Sequence, residues 1–142
     1  MKVAVIGLGC RFPGSSNTPD EFFDNLVSHK DCVTEIPDDR WNKDFFYHKE
    51  KGTPGKINSK RGGFMDNIFD FDHEAFSMSV KESSNIDPQQ KILLETTLQA
   101  LEDSKLEYRG SKTGVFIGTG QVDFSGFFFF FVNNFFQRFF IE

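Results

Sequence analysis

Histidine and cysteine are scarce in this chain. Three histidines (His29, His48, His73) and two cysteines (Cys10, Cys32) are spread over 142 residues. No C-x-x-C occurs and the histidines have no metal-ligand spacing, so the sequence patterns of zinc sites and redox dithiols are missing. Cys10 and Cys32 are 22 positions apart, and a reducing cytosol is the expected compartment. Basic charge is also in deficit. Sixteen Lys and Arg against 21 Asp and Glu leave a net charge of -5, with no basic cluster. An electrostatic nucleic-acid binder is not expected from such a balance. Long apolar runs are absent too. The longest, residues 127–132, has six residues, against about twenty for a membrane-spanning helix. Residues 3–8 are too few for a signal-peptide core and Arg11 follows closely, so no secretory signal is expected.

What is present is the composition of a folded domain. Hydrophobic residues make up 38% and charged residues 26%, over a length able to bury one core. The stretch V-A-V-I-G-L-G-C-R-F-P-G, residues 3–14, begins as a β-branched apolar run closed by glycine. Residues 3–8 are predicted to be a buried strand. The glycines do not make a dinucleotide fingerprint. The third glycine would fall at Phe12, Gly14 is two residues late, and no acidic residue closes a second strand about twenty residues on. Gly7 and Gly9 read instead as a tight strand-to-loop turn. Cys10 sits where a nucleophile could be presented, yet His29 is 19 residues away, and a cysteine beside an apolar run is usually a small core residue.

Thr18-Pro19-Asp20-Glu21 has the cap, first-position proline and capping-box partner of a helix start, predicting a helix from Pro19 to about residue 29. Phe22, Phe23, Leu26 and Val27 share one face of it. Residues 31–57 read as loop with short helical or extended pieces, with Trp41, Phe45, Phe46 and Tyr47 expected to pin it to the core. Arg61-Gly62-Gly63-Phe64-Met65 reads as a turn or short strand in which backbone approaches closely. Ser79-x-x-Glu82 is a second capping box. Asp87-Pro88-Gln89-Gln90 opens the strongest helix, predicted from Pro88 to about Ser104, with Gln90 able to reach back to the cap. Leu93, Leu94, Thr97, Leu98, Ala100 and Leu101 line one broad face. Residues 114–120 read as a second buried strand. The order of elements implies a layered α/β fold.

Several of these segments together resemble the β-ketoacyl synthase (ketosynthase) domain of multidomain type I polyketide synthases. The likeness runs from the opening stretch through Asp38-Asp39-Arg40-Trp41, Pro54-Gly55-Lys56, Arg61-Gly62-Gly63-Phe64-Met65 and Phe71-Asp72. It continues through Asp87-Pro88-Gln89-Gln90-Lys91-Ile92-Leu93-Leu94-Glu95, Leu101-Glu102-Asp103 and Gly114-Val115-Phe116-Ile117-Gly118. The fatty acid synthase ketosynthase, which shares the fold, is the nearest rival. The resemblance implies an α/β fold of partial thiolase-like (ketosynthase) type, with layered helices and a mixed sheet, incomplete here. It implies decarboxylative Claisen condensation of acyl and malonyl-type thioesters carried on phosphopantetheine, an acyltransferase chemistry that uses a nucleophilic cysteine and two histidines.

The family's cysteine lies in a T-A-C-S-S turn, which this chain lacks, and Cys10 does not match it. All three histidines precede the place where that cysteine would stand. The expectation is therefore no catalytic, cofactor-binding or metal-binding residue in this chain. Phosphopantetheine would belong to a separate carrier domain. The expected partner is a full-length synthase or second ketosynthase protomer, with neither nucleic acid nor a transmembrane segment. Residues 1–125 are assigned to the N-terminal part of a ketosynthase domain, in a chain expected to be inactive alone and cytoplasmic. Uncovered strand edges and faces imply marginal independent stability.

Residues 126–142 fit no part of the family. Nine of the chain's 20 phenylalanines fall in the last sixteen positions. A frameshift or truncation near Gly126, leading into T-rich phenylalanine codons, is the reading taken for this tail. A weak interfacial anchor, with Arg138 its one cation, and a core strand are the alternatives.

Overall fold

The computed structural model describes residues 2–118. Their elements run α1 (Pro19–Val27), β1 (Val33–Glu35), α2 (Lys43–Phe46), β2 (Arg61–Gly63), α3 (Val80–Ser84) and α4 (Pro88–Ser104). The chain divides into two compact units. One is Cys10–Asp66, and the described part of the other comprises residues 2–9 and 67–118.

In Cys10–Asp66 the first helix starts where the cap signals place it. Thr18 Oγ1 accepts the Glu21 N–H at 3.2 Å, and Glu21 Oε2 accepts the N–H groups of Asn17 and Thr18 at 2.8 and 3.0 Å. Helix α1 stops at Val27 with Ser28 as its C-cap, slightly short of the predicted end. It buries no residue, so Phe23, Leu26 and Val27 leave much of their surface to solvent. The loop before it is tied back by polar groups. Asn25 Nδ2 donates to the Gly14 carbonyl at 3.0 Å and to Ser16 Oγ at 2.7 Å, and Lys30 Nζ donates to the same carbonyl at 2.9 Å. Gly14 has φ +85°, and a Cβ there would collide with Cys32 Sγ, so this turn requires glycine twice over.

Strands β1 and β2 pair antiparallel, with Val33 opposite Gly63 and Glu35 opposite Arg61. A Cβ on Gly63 would stand 3.1 Å from Pro13 Cγ, the close approach that the paired glycines predict. The aromatics of residues 31–57 do not sink into a core, contrary to expectation. Phe45 is 63% exposed, and Phe45 and Phe46 pack edge to face on each other at 4.9 Å. Trp41 meets Phe64 edge-on at 5.9 Å and stays partly exposed. Trp41, Phe45 and Phe46 each meet a neighbouring ring and Tyr47 meets the Lys60 ammonium, while Ile36 is the only large apolar side chain buried among the described residues of this unit.

The second unit contains the apolar cluster. Phe76 and Leu94 are buried, and Phe71, Met78 and Leu98 pack on them, with Phe71 and Phe76 stacked at 5.0 Å. Helix α3 opens with the Ser79/Glu82 capping box. Helix α4 spans the predicted range. Asp87 Oδ1 accepts the Gln89 N–H at 2.8 Å, Pro88 occupies the first turn, and Lys105 in the left-handed region (φ 54°) closes the helix.

Neither predicted buried strand forms among the described residues. Residues 3–8 belong to no strand, with Val3 82% and Val5 77% exposed. Residues 114–118 are likewise outside any strand, with Phe116 almost fully exposed. Residues 119 and 120 of that prediction, and the whole tail of 126–142, lie outside the described residues. A buried strand needs neighbours for its backbone and covers for both faces. The described residues supply helix α4 on one side and no second strand.

Candidate functional site

In the second unit, Gly7 and Gly9 lie directly against helix α4. A Cβ on Gly7 would collide with the Ala100 carbonyl oxygen, and one on Gly9 with that of Thr96. The two glycines are two apart in an extended chain and so share a face. Thr96 and Ala100 are four apart on a helix and also share a face. The glycines therefore let backbone lie directly on α4, and the expected strand-to-loop turn is a helix-packing motif instead. The Leu8 N–H, between them, donates to Asp103 Oδ2 at 2.9 Å.

Along this contact runs a groove of about 620 Å³, bounded by residues 6–9, by α4 from Leu93 to Ser104 and by residues 106–117. Its lining includes Ile6, Leu93, Leu101, Leu106, Val115 and Ile117. The hydroxyls along α4 are already engaged. Thr96 Oγ1 donates to the Ile92 carbonyl at 2.8 Å, Thr97 Oγ1 to Leu93 at 2.7 Å and Ser104 Oγ to Leu101 at 2.6 Å. These threonines turn their hydroxyls back onto their own helix, and Glu107, Tyr108, Ser111 and Thr113 line the groove beside the apolar residues.

The chemistry-bearing side chains lie elsewhere in the sequence, and Cys32, His48 and His73 are engaged locally. Burial, helped by the Glu21 carboxylate, pushes the Cys10 thiol above its ordinary pKa, the opposite of what a nucleophile needs. Cys32 Sγ lies 3.6 Å from the Lys30 carbonyl oxygen. His48 Nδ1 accepts the Glu50 N–H at 3.2 Å and lies 3.0 Å from Thr53 Oγ1. His73 Nδ1 donates to the Met78 carbonyl at 2.9 Å. His29 takes a left-handed backbone (φ 53°) just past the end of α1. Among the described residues, no group of three or more His, Cys, Asp or Glu is placed to hold a metal ion. No helix among them is long and apolar enough to cross a membrane.

Ion pairs cluster around β1, β2 and α2. Arg61 Nη2 reaches Asp31 Oδ2 at 2.8 Å and donates to the Val33 carbonyl. Lys60 meets Asp44 at 2.7 Å, and Lys43 meets Asp38 at 3.2 Å and Glu35 at 3.5 Å. The hydrogen bond from Arg61 lowers the Asp31 pKa, and that from Lys60 lowers the Asp44 pKa. Their exposure and mutual pairing mark them as fasteners of the hairpin and α2.

Comparison with known proteins places these features. The model of the β-ketoacyl synthase N-terminal domain matches residues 1–127. The chain is 46% identical over 124 residues to the mycocerosic acid synthase-like polyketide synthase of Mycobacterium tuberculosis, covering 86% of this chain and 6% of that protein. It is 43% identical over 125 residues to polyketide synthase 37 of Dictyostelium discoideum, covering 86% of this chain and 4% of that protein. Among solved structures it is similar to an oxazolomycin ketosynthase domain of Streptomyces albus JA3453, with 38% identity and a TM-score of 0.66, over 70% of this chain and 17% of that one. The ketosynthase from module 6 of the bacillaene synthase of Bacillus subtilis 168 matches with 33% identity and a TM-score of 0.60, over 70% and 16% of the two chains. The 142 residues thus span a small fraction of the length of the relatives they match.

Proposed function

Because the chain belongs to the β-ketoacyl synthase family and carries part of the thiolase-like ketosynthase fold, we propose that these residues are a supporting portion of a polyketide synthase ketosynthase and hold none of its condensing chemistry. The observation that carries this reading is the absence of a T-A-C-S-S segment, and of any histidine after it, from the 142 residues. The family's reaction needs a thiolate to take an acyl chain from a carrier's phosphopantetheine and an oxyanion hole to steady the tetrahedral intermediate. The Cys10 thiol is held above its ordinary pKa by burial and the Glu21 carboxylate, which disfavours the thiolate, and the local hydrogen bonds of His48 and His73 support the same reading. No residue here is assigned to phosphopantetheine, which in this reading stays on a separate carrier domain.

The test is intact-mass analysis after incubation with an acyl N-acetylcysteamine thioester, followed by a malonyl thioester and measurement of released carbon dioxide. The expected result is no stable acyl adduct and no decarboxylation above buffer. An acyl adduct on Cys10, lost together with decarboxylation in Cys10→Ser, would overturn the proposal.

A second reading treats the chain as a binding module that pairs with, or inhibits, a full-length synthase or second ketosynthase protomer. It is favoured by Val3, Val5 and Ile6, which lie exposed outside any strand. Co-purification with an intact synthase, and loss of that synthase's condensing rate on titration with this chain, are its expected signatures. A monodisperse monomer with no effect on the synthase removes it.

A further inference from the structure

The start of α4 takes several polar side chains out of water. Ser83, Asp87, Gln90 and Lys91 are all buried there, and among the described residues the only other buried polar side chain is Ser16. Asp87 Oδ1 accepts the Gln89 N–H as the helix cap. Asp87 Oδ2 is enclosed and has no hydrogen-bond partner among the described residues. We propose that one internal water molecule donates to Asp87 Oδ2 and accepts from the Lys91 ammonium, so that the two buried charges are joined through water.

Three observations favour this site. The first is demand. A carboxylate oxygen shut away from solvent without a donor is costly, and buried polar groups in folded proteins almost always find a protein or water partner.

The second is the placing of Lys91. It stands four positions after Asp87, which puts both residues on one side of the first turn. Lys91 is 7% exposed, as is Asp87. Its ammonium faces the Phe71 ring, 5.8 Å from the centroid, and it has no carboxylate in direct contact among the described residues. A carboxylate acceptor and an ammonium donor on one side of a turn, not touching each other, are the two partners that a bridging water serves. It gives a hydrogen to the one and takes a hydrogen bond from the other.

The third is the exclusion of other ligands. A metal cation is disfavoured because the positive end of the α4 dipole already faces this carboxylate. A side chain from a separate protein cannot reach an oxygen that is enclosed. Water is a small neutral donor that can be trapped as the chain folds.

The direct test is a crystal structure of the full 142-residue chain at a resolution that shows ordered water. The expected result is one density peak within hydrogen-bond distance of both Asp87 Oδ2 and Lys91 Nζ. A direct Asp87–Lys91 ion pair, a peak that touches only one of the two, or no peak overturns the proposal. In solution, oxygen-17 relaxation dispersion counts the waters held for longer than the molecule takes to tumble. Lys91→Met keeps an unbranched side chain and removes the ammonium, and should lower that count by one while amide protection across α4 persists. Lys49→Met, at an exposed lysine, should leave the count unchanged. An unchanged count in folded Lys91→Met also overturns the proposal. Should Lys91→Met fail to fold, the density in the wild-type chain decides alone. Acylation of Cys10 would defeat the functional reading above and leave this water in place, so the two fail separately.

Discussion

The two units of the described chain are held together by different forces. Cys10–Asp66 is organised by polar links within its own span: the capping box of α1, the Asn25 and Lys30 bonds to the Gly14 carbonyl, and the ion pairs around the β1–β2 pair. Its buried side chains among the described residues are Ser16 and Ile36. The unit containing α4 buries Phe76, Ile86, Leu94 and the polar cap residue Asp87, and adds the glycine contact with residues 7 and 9. These links need no sequence outside the unit, so the first unit forms its turns and helix ends while leaving apolar faces uncovered. Burial needs partners, and the second unit has enough of them around Leu94 but not around Val3, Val5 or Phe116. The lesson is that caps decide where elements begin, while coverage decides which of them acquire a core.

The largest test of that contrast is Leu94→Ala. Leu94 is 3% exposed and sits in the Phe76 cluster, so truncation removes about 2–5 kcal/mol from the unit that depends on burial. Amide exchange across α4 should accelerate strongly, while the amides of β1 keep their protection. Equal acceleration in both units would show that one cooperative core holds them, against the comparison drawn here. Next comes Gly7→Ala, whose new methyl collides with the Ala100 carbonyl. Overpacking of this kind costs about 1–3 kcal/mol. Its signature is exposure of the Leu8 amide, bonded to Asp103 in the wild-type chain. Should the Leu8 amide keep its protection in Gly7→Ala, the glycines would not be the reason this segment lies on α4.

Much of this was legible in the sequence wherever the signal was local. Thr18 and Glu21, Ser79 and Glu82, and Asp87 with Pro88 each marked a helix start that the structure contains. The paired glycines 62 and 63 marked a close approach, and β2 forms there. What failed was non-local. Residues 3–8 and 114–118 have the composition of buried strands, yet composition does not supply a neighbour, and neither forms a strand. The aromatics 41, 45 and 46 were assigned to a core that this unit lacks. The α4 groove was missed because Gly7 and Gly9 were read as a turn. Their spacing of two, facing small residues four apart on a helix, was the signal available. The family was legible from ordered motifs, and the model match over residues 1–127 rests on the same stretch. The expected absence of catalytic residues is still a proposal with its own test.

A smaller effect sharpens the contrast within helices. Thr18→Ala removes the N-cap of α1, and Ser79→Ala that of α3, each worth about 1 kcal/mol. Helix α1 has no buried residue to hold it, and a helix of nine residues is marginal in water without packing. Loss of Thr18 should therefore melt α1 outright, seen as collapse of its amide protection and of helical circular dichroism. In α3, Ser83 is buried, and loss of the Ser79 cap should fray only the first turn. Equal responses would mean that α1 has a covered face in solution.

The smallest expected effect is electrostatic and has a defined sign. Asp31 is held below its ordinary pKa by the hydrogen bond from Arg61, and Asp44 by that from Lys60. A depressed carboxylate pKa contributes stability that is present above the unfolded value and is lost as pH falls through the folded one. Lys43 and Lys60 are raised by Asp38 and Asp44, so their contribution is present below the ordinary lysine value and is lost as pH rises through the raised one. Protection of the β1 amides should be level through neutral pH and decline at both extremes, first on the acid side below the ordinary aspartate range. Asp31 and Asp44 are solvent-exposed and Lys43 and Lys60 partly so, so added salt should flatten both limbs. Asp31→Asn should remove part of the acid limb and leave the alkaline one. The buried unit around Leu94 should show no matching acid limb, because none of these pairs lies in it. An identical pH profile in both units would mean that the ion pairs do not act as local fasteners of the hairpin and α2.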